Sequence, residues 1–208
     1  MAWKPDYTSL SLLKAHLRIA DTADDTALGA AITAASRAID YECNRQFGSV
    51  TPVAARYYTF DHLVIDGRYA LAVDDIHSSS GLLVAYDTED DASWSQTTTL
   101  GTDWSLWPYN ASADGLPWTH LVQTSRVVQT FPGNPQGIRV TALFGWAAVP
   151  AVVSSACLIQ AARFFVRRDS AYGVAGSPDQ GNELRLLARL DPDVSSSATS
   201  VRRPWGAV

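Results

Sequence analysis

The sequence has few of the residues that usually carry out chemistry. Two cysteines and four histidines occur in 208 residues, and none of them stands at the spacing of a zinc site. The G-x-G-x-x-G, Walker and G-x-S-x-G motifs of nucleotide-binding proteins and hydrolases are absent. The Ser-x-x-Lys pattern of Ser11–Lys14 lacks its companion motifs, and a helix start explains it better. We therefore expect no enzyme activity, no catalytic residue, no metal and no cofactor.

The chain also lacks an excess of basic charge and a long apolar run. Lysine and arginine number 16 against 21 acidic residues, which gives a formal net charge of −5. This charge argues against a sequence-independent nucleic-acid binder, which needs a basic face. No run reaches the roughly 18 to 20 apolar residues that cross a bilayer, and Met1–Asp6 predicts no secretory signal. Cys43 and Cys157 are expected as buried reduced thiols rather than as a disulfide.

Helical patterns dominate the first part of the chain. Leucines recur on one face of residues 9–17, with Ser9 or Ser11 as the candidate N-cap. A second, longer helix is predicted over residues 24–46, because the carboxylates of Asp24 and Asp25 can bond the free amides of its first turn. Its apolar stripe consists of Leu28, Ala31, Ile32, Ala35, Ile39 and Cys43.

After Phe47 the hydrophobic period changes from helical to alternating. The segments predicted as strands are Ala54–Phe60, Leu63–Ile65, Ala70–Val73, Leu82–Tyr86, His120–Thr124, Arg126–Phe131 and Gly137–Trp146. Ser78–Gly81 is predicted as a turn between two of them, and Thr88–Asp91 as an exposed hairpin tip. Short strands between turns indicate an antiparallel sheet or a barrel-like region. Four tryptophans of this region, at positions 94, 104, 107 and 118, are assigned a structural role rather than a partner surface.

A second helical region follows at Pro150–Arg168. Proline suits the first turn of a helix, and almost every position up to Phe165 is small or apolar. A helix that is apolar all round must be covered on more than one side. We therefore expect another subunit to cover part of it, with Val152, Ile159 and Phe164 in the subunit interface.

The last part of the chain is predicted as a short helix and an arm. Glu183–Leu190 has a helical pattern, and Asp191 with the following proline ends it. Residues 191–208 contain few core-forming side chains before Trp205. Such a segment cannot offset its own ordering entropy, so we expect it to order only on a partner and to be dispensable for folding.

These features together predict an α+β protein. The N- and C-terminal parts would form an antiparallel helix bundle, with an inserted antiparallel β-sheet or barrel-like region and an extended C-terminal tail. The predicted parts are the N-terminal helical part of the core (1–49), the inserted β-rich region (50–147), the C-terminal helical part of the core (148–190) and the extended C-terminal arm (191–208).

Several of these segments resemble the head-tail connector (adaptor) family of tailed bacteriophages. The matching elements are L-x-x-L-K-x-H-L-R-I at Leu10–Ile19, D-D-x-x-L at Asp24–Leu28, A-A-S-R-A-I-D at Ala34–Asp40, and the apolar helix that Pro150 opens and Arg167–Arg168 ends. Their order and spacing carry the resemblance more than any rare residue does. Residues 50–145 contain no matching motif.

The resemblance implies a structural virion protein that assembles in the host cytoplasm. Twelve copies would form a ring that binds beneath the portal and joins the DNA-filled capsid to the tail. The portal protein and the next neck or tail-completion protein would be its partners, DNA would pass through the channel without sequence-specific binding, and no membrane would be involved. We expect Arg202, Arg203 and Trp205 of the arm to bind the portal.

Two other functions are compatible with the sequence. A carbohydrate-binding module would stack exposed tryptophan and tyrosine rings on sugars, but it leaves the helical ends and the arm unexplained. An enzyme with an unrecognised site has no motif in its favour. Particle mass separates these alternatives, because a ring predicts a large oligomer or recruitment by the portal, whereas the others predict a monomer or dimer.

Overall fold

A computed structural model describes residues 4–124, 132–168, 174–175, 184–185 and 190–203. The chain divides into two compact units, a helical unit of Met1–Phe47 with Val149–Trp205 and a sheet unit of Gly48–Ala148. Four helices and a large antiparallel sheet in the described residues confirm the α+β class. None of the described helices is long and apolar enough to cross a membrane.

The helical unit begins with α1 (Leu10–Leu17) and α2 (Asp25–Cys43). Ser9 caps α1, since its hydroxyl accepts a first-turn backbone N–H at 3.3 Å. Asp24 precedes α2, but its side chain makes no capping bond, which corrects the sequence prediction. Its carboxylate instead accepts two bonds from the Arg168 guanidinium, at 2.8 and 3.1 Å. Asp24 thus forms a bidentate ion pair with a residue distant in sequence rather than a cap on its own helix.

The described part of this unit contains two further helices, α3 (Ala151–Arg167) and α4 (Pro192–Thr199). Helix α3 packs against α1, α2 and α4, and α4 also packs against α2. The buried residues of α3 are Val153, Ala156, Cys157, Gln160 and Ala161.

Helix α4 corrects the prediction of a wholly extended arm. The Asp191 side chain accepts the backbone N–H of Asp193 at 3.0 Å, and Pro192 occupies the first turn. Val194 and Ala198, four residues apart, lie on one face of α4 and are buried. Burial of these two small apolar residues helps to dock the segment on its own chain.

The described residues of the sheet unit form seven strands: β1 (Ala54–Tyr58), β2 (Val64–Ile65), β3 (Arg68–Tyr86), β4 (Gln96–Thr98), β5 (Trp104–Trp107), β6 (Trp118–Gln123) and β7 (Ile138–Phe144). The strand order is β1-β7-β3-β6-β5, with β2 and β4 also paired to β3. Every pairing between these strands is antiparallel. The predicted strand Arg126–Phe131 lies outside the described residues.

Strand β3 is continuous where the sequence predicted two strands and a turn. Its first half pairs with β6 and its second half with β7 and β4. The predicted turn, Ser78–Gly81, lies inside the strand, where the register with β7 shifts. The strand is locally irregular here, with Gly81 at φ 71°, but it does not end.

The core of the sheet unit lies on the alternating inner face of its strands. In β7, Ile138, Val140, Ala142 and Phe144 are fully buried, whereas Arg139, Thr141 and Leu143 are half-buried. Gly145 follows at φ 98°, and a Cβ there would meet the backbone carbonyl of Gly48. Only glycine suits this position.

The predicted helix Glu183–Leu190 also differs from the structure. Its residues Leu184–Arg185 form strand β9, paired antiparallel with β8 (Val174–Ala175). The remainder of that segment, except Leu190, lies outside the described residues. Pairing with a second short strand has overridden a weak helical pattern.

Both cysteines are free and buried, as predicted. Burial raises the pKa of the Cys43 thiol to about 11 and also raises the pKa of Cys157. Both side chains lie in the helical unit. They act there as small core residues rather than as nucleophiles.

Candidate interaction surfaces

Helix α3 carries a partly exposed apolar line next to its buried face. Val152, Ile159 and Val166 recur every seven residues and therefore lie along one line of the helix. Val152 is half-buried, whereas Ile159 is 39% and Val166 58% exposed. We refer to these three residues as the α3 stripe. Of the predicted interface residues, Val152 and Ile159 lie on the stripe, while the half-buried Phe164 falls on the other side of the helix.

The base of the predicted portal-binding arm is bound to the end of α2. The backbone N–H of Arg203 donates to the Cys43 carbonyl at 2.8 Å, and the Arg203 residue is only 5% exposed. Arg202 lies 3.7 Å from the Glu42 carboxylate and keeps 43% of its side chain exposed. The two arginines are therefore anchored at one place, with Arg202 the more accessible. Trp205 lies outside the described residues.

Tyr7 connects the start of the chain to two helices. Its backbone N–H donates to the Ser36 hydroxyl at 3.1 Å, and its carbonyl accepts from Ser154 at 2.6 Å. Its phenolic hydroxyl donates to the Asp40 carboxylate and accepts the Phe47 backbone N–H at 3.0 Å. Sequence reasoning missed this residue, because a lone tyrosine before a helix gives no periodic signal.

The pKa of the Asp40 carboxyl is raised above its usual value. Burial raises its pKa, even though the Tyr7 hydroxyl and the Arg37 guanidinium, with its Nε at 2.9 Å, act in the opposite direction. Burial also raises the pKa of Tyr7, and the hydrogen bond to Asp40 adds to this. The Asp40 carboxylate is thus hydrogen-bonded by Tyr7 and ion-paired with Arg37 within its own chain.

Beside Asp40, a cavity of about 410 Å³ opens at the C-terminal end of α2. It is lined by Lys4, Arg37, Asp40, Tyr41, Asn44, Arg45 and Gln46, and we call it the basic pocket. Three cationic side chains face one carboxylate in this lining. Tyr41 is 77% exposed at its edge, an unusual position for a large aromatic ring. The net charge of −5 gave no sign of this grouping of basic side chains.

The predicted hairpin tip of the sheet unit is an acidic loop that accepts hydrogen bonds from its own backbone. Asp87 is buried, and its carboxylate accepts the backbone N–H groups of Asp91 at 3.2 Å and Ala92 at 2.8 Å. The next three carboxylates, at Glu89, Asp90 and Asp91, belong to exposed residues, and we call them the acidic tip. Bonds from Ser93 hold the pKa of Asp91 below its usual value. The described residues contain no group of side chains able to hold a metal ion.

The tryptophans of the sheet unit divide between core and surface. Trp104 and Trp146 are buried, and their ring N–H groups donate to Thr98 at 3.0 Å and Asp75 at 2.9 Å. Neither ring is available to stack on a sugar. Trp94 instead lies against the Tyr57 ring at 4.8 Å between centroids, where the Arg139 guanidinium also covers it.

Residues 7–94 match the family model described as the phage gp6-like head-tail connector protein. Over this range the chain is similar to the head-tail connector family. The matched segment begins at Tyr7, includes α1, α2 and β1 to β3, and ends at Trp94. The resemblance predicted from the helical motifs is confirmed. This is a family of structural phage connector proteins and not a class of enzyme.

Two solved structures have a similar fold over nearly the whole chain. A chain from the neck of an empty GTA particle computed with C6 symmetry is 16% identical, with a TM-score of 0.59, over 99% of this chain and 96% of its own length. A chain from the virion of a native gene transfer agent (GTA) particle is 19% identical, with a TM-score of 0.55, over 95% and 91% respectively. Among curated proteins, no relative matches. At these identities the likenesses show a shared fold and nothing more.

Proposed function

We propose that this chain is a subunit of a connector ring that binds beneath the portal and joins the DNA-filled capsid to the tail. The family match over residues 7–94 carries the proposal. The likeness to chains from a GTA neck and virion supports it. The ring would hold twelve copies, as the resemblance implies, a number compatible with the sixfold symmetry of that neck.

The α3 stripe is the proposed contact between neighbouring subunits. Its side chains are apolar, and Ile159 and Val166 are exposed outside the buried face of α3. Covering them with a second copy would remove apolar surface from water, which is the main driving force of association. Val152 and Ile159 keep their proposed interface role, and Phe164 would support the helix from its other side.

The arm after α4 is the proposed portal contact. Arg202 would pair with portal carboxylates and Trp205 would fill an apolar pocket, since tryptophan and arginine are common at interface hot spots. Arg203 would mainly anchor the base of the arm, because its backbone and side chain are held in the helical unit. On the tail side, the next neck or tail-completion protein would bind the ring. A net charge of −5 suits a channel through which DNA moves without being held.

The stripe is tested by placing a charge on it. Ile159→Asp should leave the isolated chain folded, because this side chain is partly exposed, but it should lower occupancy on portal-bearing capsids at least about tenfold by burying an unpaired carboxylate. Ala34→Asp, on an exposed position of α2, is the matched control and should bind as the wild type does. Wild-type occupancy of the Ile159→Asp chain would contradict the proposed interface.

The arm is tested by a shorter deletion than the sequence suggested. Removing residues 191–208 would also remove the buried Val194 and Ala198, so loss of binding would not separate folding from attachment. Deleting residues 204–208 leaves α4 in place and should abolish portal attachment, with Trp205→Ala giving a partial loss. Circular dichroism of both variants checks the fold. A deleted chain that still decorates capsids fully would contradict the assignment of the arm.

A further inference from the structure

We propose that the C-terminal end of α2 positions the portal-binding arm, with Arg45 as the positioning residue. The Arg45 guanidinium donates to the Val201 carbonyl at 3.3 Å, and the Cys43 carbonyl accepts the Arg203 backbone N–H at 2.8 Å. We call these two hydrogen bonds the α2 clamp. The proposal rests on the portal contact proposed above and adds how each subunit prepares that contact.

The way in which α2 ends supplies both halves of the clamp. The last carbonyl groups of a helix have no partner within the helix itself. Asn44 ends α2 in the left-handed conformation at φ 52°, and its backbone N–H bonds the Asp40 carbonyl. The Cys43 carbonyl belongs to the same last turn, and the Arg203 N–H provides its donor. Arg45 follows two residues later and places a guanidinium beside the same segment.

The two bonds of the clamp lie on either side of Arg202. Val201 is half-buried and Arg203 is buried, whereas the Arg202 side chain keeps 43% of its surface exposed and lies 3.7 Å from the Glu42 carboxylate. With the backbone held before and after it, Arg202 is the arginine that a partner can reach. The clamp therefore distinguishes two adjacent arginines that the sequence predicted as equivalent.

The segment before the clamp is held at the same place. Val194 and Ala198 of α4 are buried, and the Cys43 thiol donates to the Ala198 carbonyl at 3.7 Å. The chain is thus bound to the end of α2 from Ala198 to Arg203, and the arm begins from a fixed point. A fixed origin reduces the entropy lost on binding. In a ring this gain is repeated in every copy, because the arms must reach their sites together.

Hydrogen exchange of the full chain tests the clamp in the absence of the portal. Arg45→Met keeps an apolar side chain of similar length but removes the donor, so the Arg203 amide should exchange about tenfold faster than in the wild type. The Ser195 amide, bonded to the Asp191 carbonyl at the start of α4, should exchange equally in both chains. Circular dichroism checks the fold, and Arg45→Gln replaces Arg45→Met if that variant is unstable. Equal exchange of the Arg203 amide in wild type and variant would overturn the clamp.

Occupancy on portal-bearing capsids tests the positioning role. Arg45→Met should lower occupancy about tenfold at an unchanged melting temperature, because the arm no longer starts from a fixed point. Arg18→Met removes the same charge from an exposed arginine at the end of α1, and this control should bind as the wild type does. An equal loss in both variants would assign the effect to charge and overturn the positioning role.

The two measurements together separate this inference from the proposed function. A wild-type chain that protects its Arg203 amide but does not attach to the portal would overturn the proposed function, and with it the purpose given to the clamp. A wild-type chain that attaches, together with an Arg45→Met chain that attaches equally well while its Arg203 amide exchanges rapidly, would overturn the positioning role alone.

Discussion

The helical unit and the sheet unit are held together in different ways. The described residues of the sheet unit all come from the middle of the chain, Gly48–Ala148, and its core consists of apolar side chains on alternating positions of paired strands. The helical unit is built from both ends of the chain, and buried polar bonds join its segments. Ser36 lies 3.4 Å from the Cys157 sulfur, and the Gln160 side chain accepts the Asp191 backbone N–H at 3.1 Å.

The two units should therefore lose stability through different kinds of substitution. An apolar core loses stability in proportion to the volume removed from it. A buried polar link fails differently, because removing one partner leaves the other buried without a bond. The segment that matches the family model includes parts of both units.

The largest effect is expected in the sheet core. Phe144 is fully buried, and the Arg56 guanidinium lies 4.2 Å from its ring centroid. Phe144→Ala should lower the free energy of unfolding by about 3 to 5 kcal/mol, measured by urea denaturation. Leu143→Ala, one residue away on the opposite face and half-buried, should cost clearly less. Equal losses would show that the sheet core does not lie on the inner face.

A smaller effect is expected from a buried polar link of the helical unit. Ser36 accepts the Tyr7 backbone N–H at 3.1 Å and donates to the Ile32 carbonyl at 2.9 Å. Ser36→Ala removes only one oxygen atom but leaves that N–H buried and unbonded, so unfolding should become easier by about 1 to 3 kcal/mol. Ser155→Ala, exposed on α3, is the control and should be nearly neutral. If Ser36→Ala left the free energy of unfolding unchanged, buried polar bonds would not be what stabilises the helical unit.

The reactivity of Cys43 and Cys157 shows whether the helical unit is folded, and measuring it requires no substitution of either residue. Because burial raises the pKa of Cys43 to about 11 and raises that of Cys157, iodoacetamide at about pH 8 should label neither in the folded chain. Both should react in urea. A Ser155→Cys variant supplies an exposed thiol that should react readily. Fast labelling of a native cysteine, followed by mass spectrometry, would show that the helical unit opens.

The smallest effect concerns the exposed ion pair between Asp24 and Arg168. The Arg168 guanidinium holds the pKa of Asp24 below its ordinary value of 3.8. The pair therefore stabilises the folded chain above that value, and this contribution is lost as the pH falls through the lower folded pKa. Asp24→Asn should lower the melting temperature slightly at neutral pH and match the wild type at about pH 2, with high salt reducing the difference. A difference that persists at about pH 2 would contradict this origin.

Local patterns predicted much of the fold. The leucines of α1, the apolar stripe of α2 and the alternation in β7 all depend on neighbours in sequence, so periodicity alone predicts these elements. The continuity of β3 and the docking of α4 give no such local signal, because both depend on contacts with distant segments. The basic pocket was missed for the same reason, since the fold brings Lys4 to Arg37 and Arg45.

Imaging of purified portal-bearing capsids, alone and mixed with this protein, tests the central claim most directly. The account predicts added density on the portal axis, with the mass of about twelve copies and rotational symmetry. The mass of the mixture, measured in parallel, should rise by the same amount. A chain that stays monomeric or dimeric in the presence of portal, and adds no density beneath it, would contradict the assignment as a connector subunit.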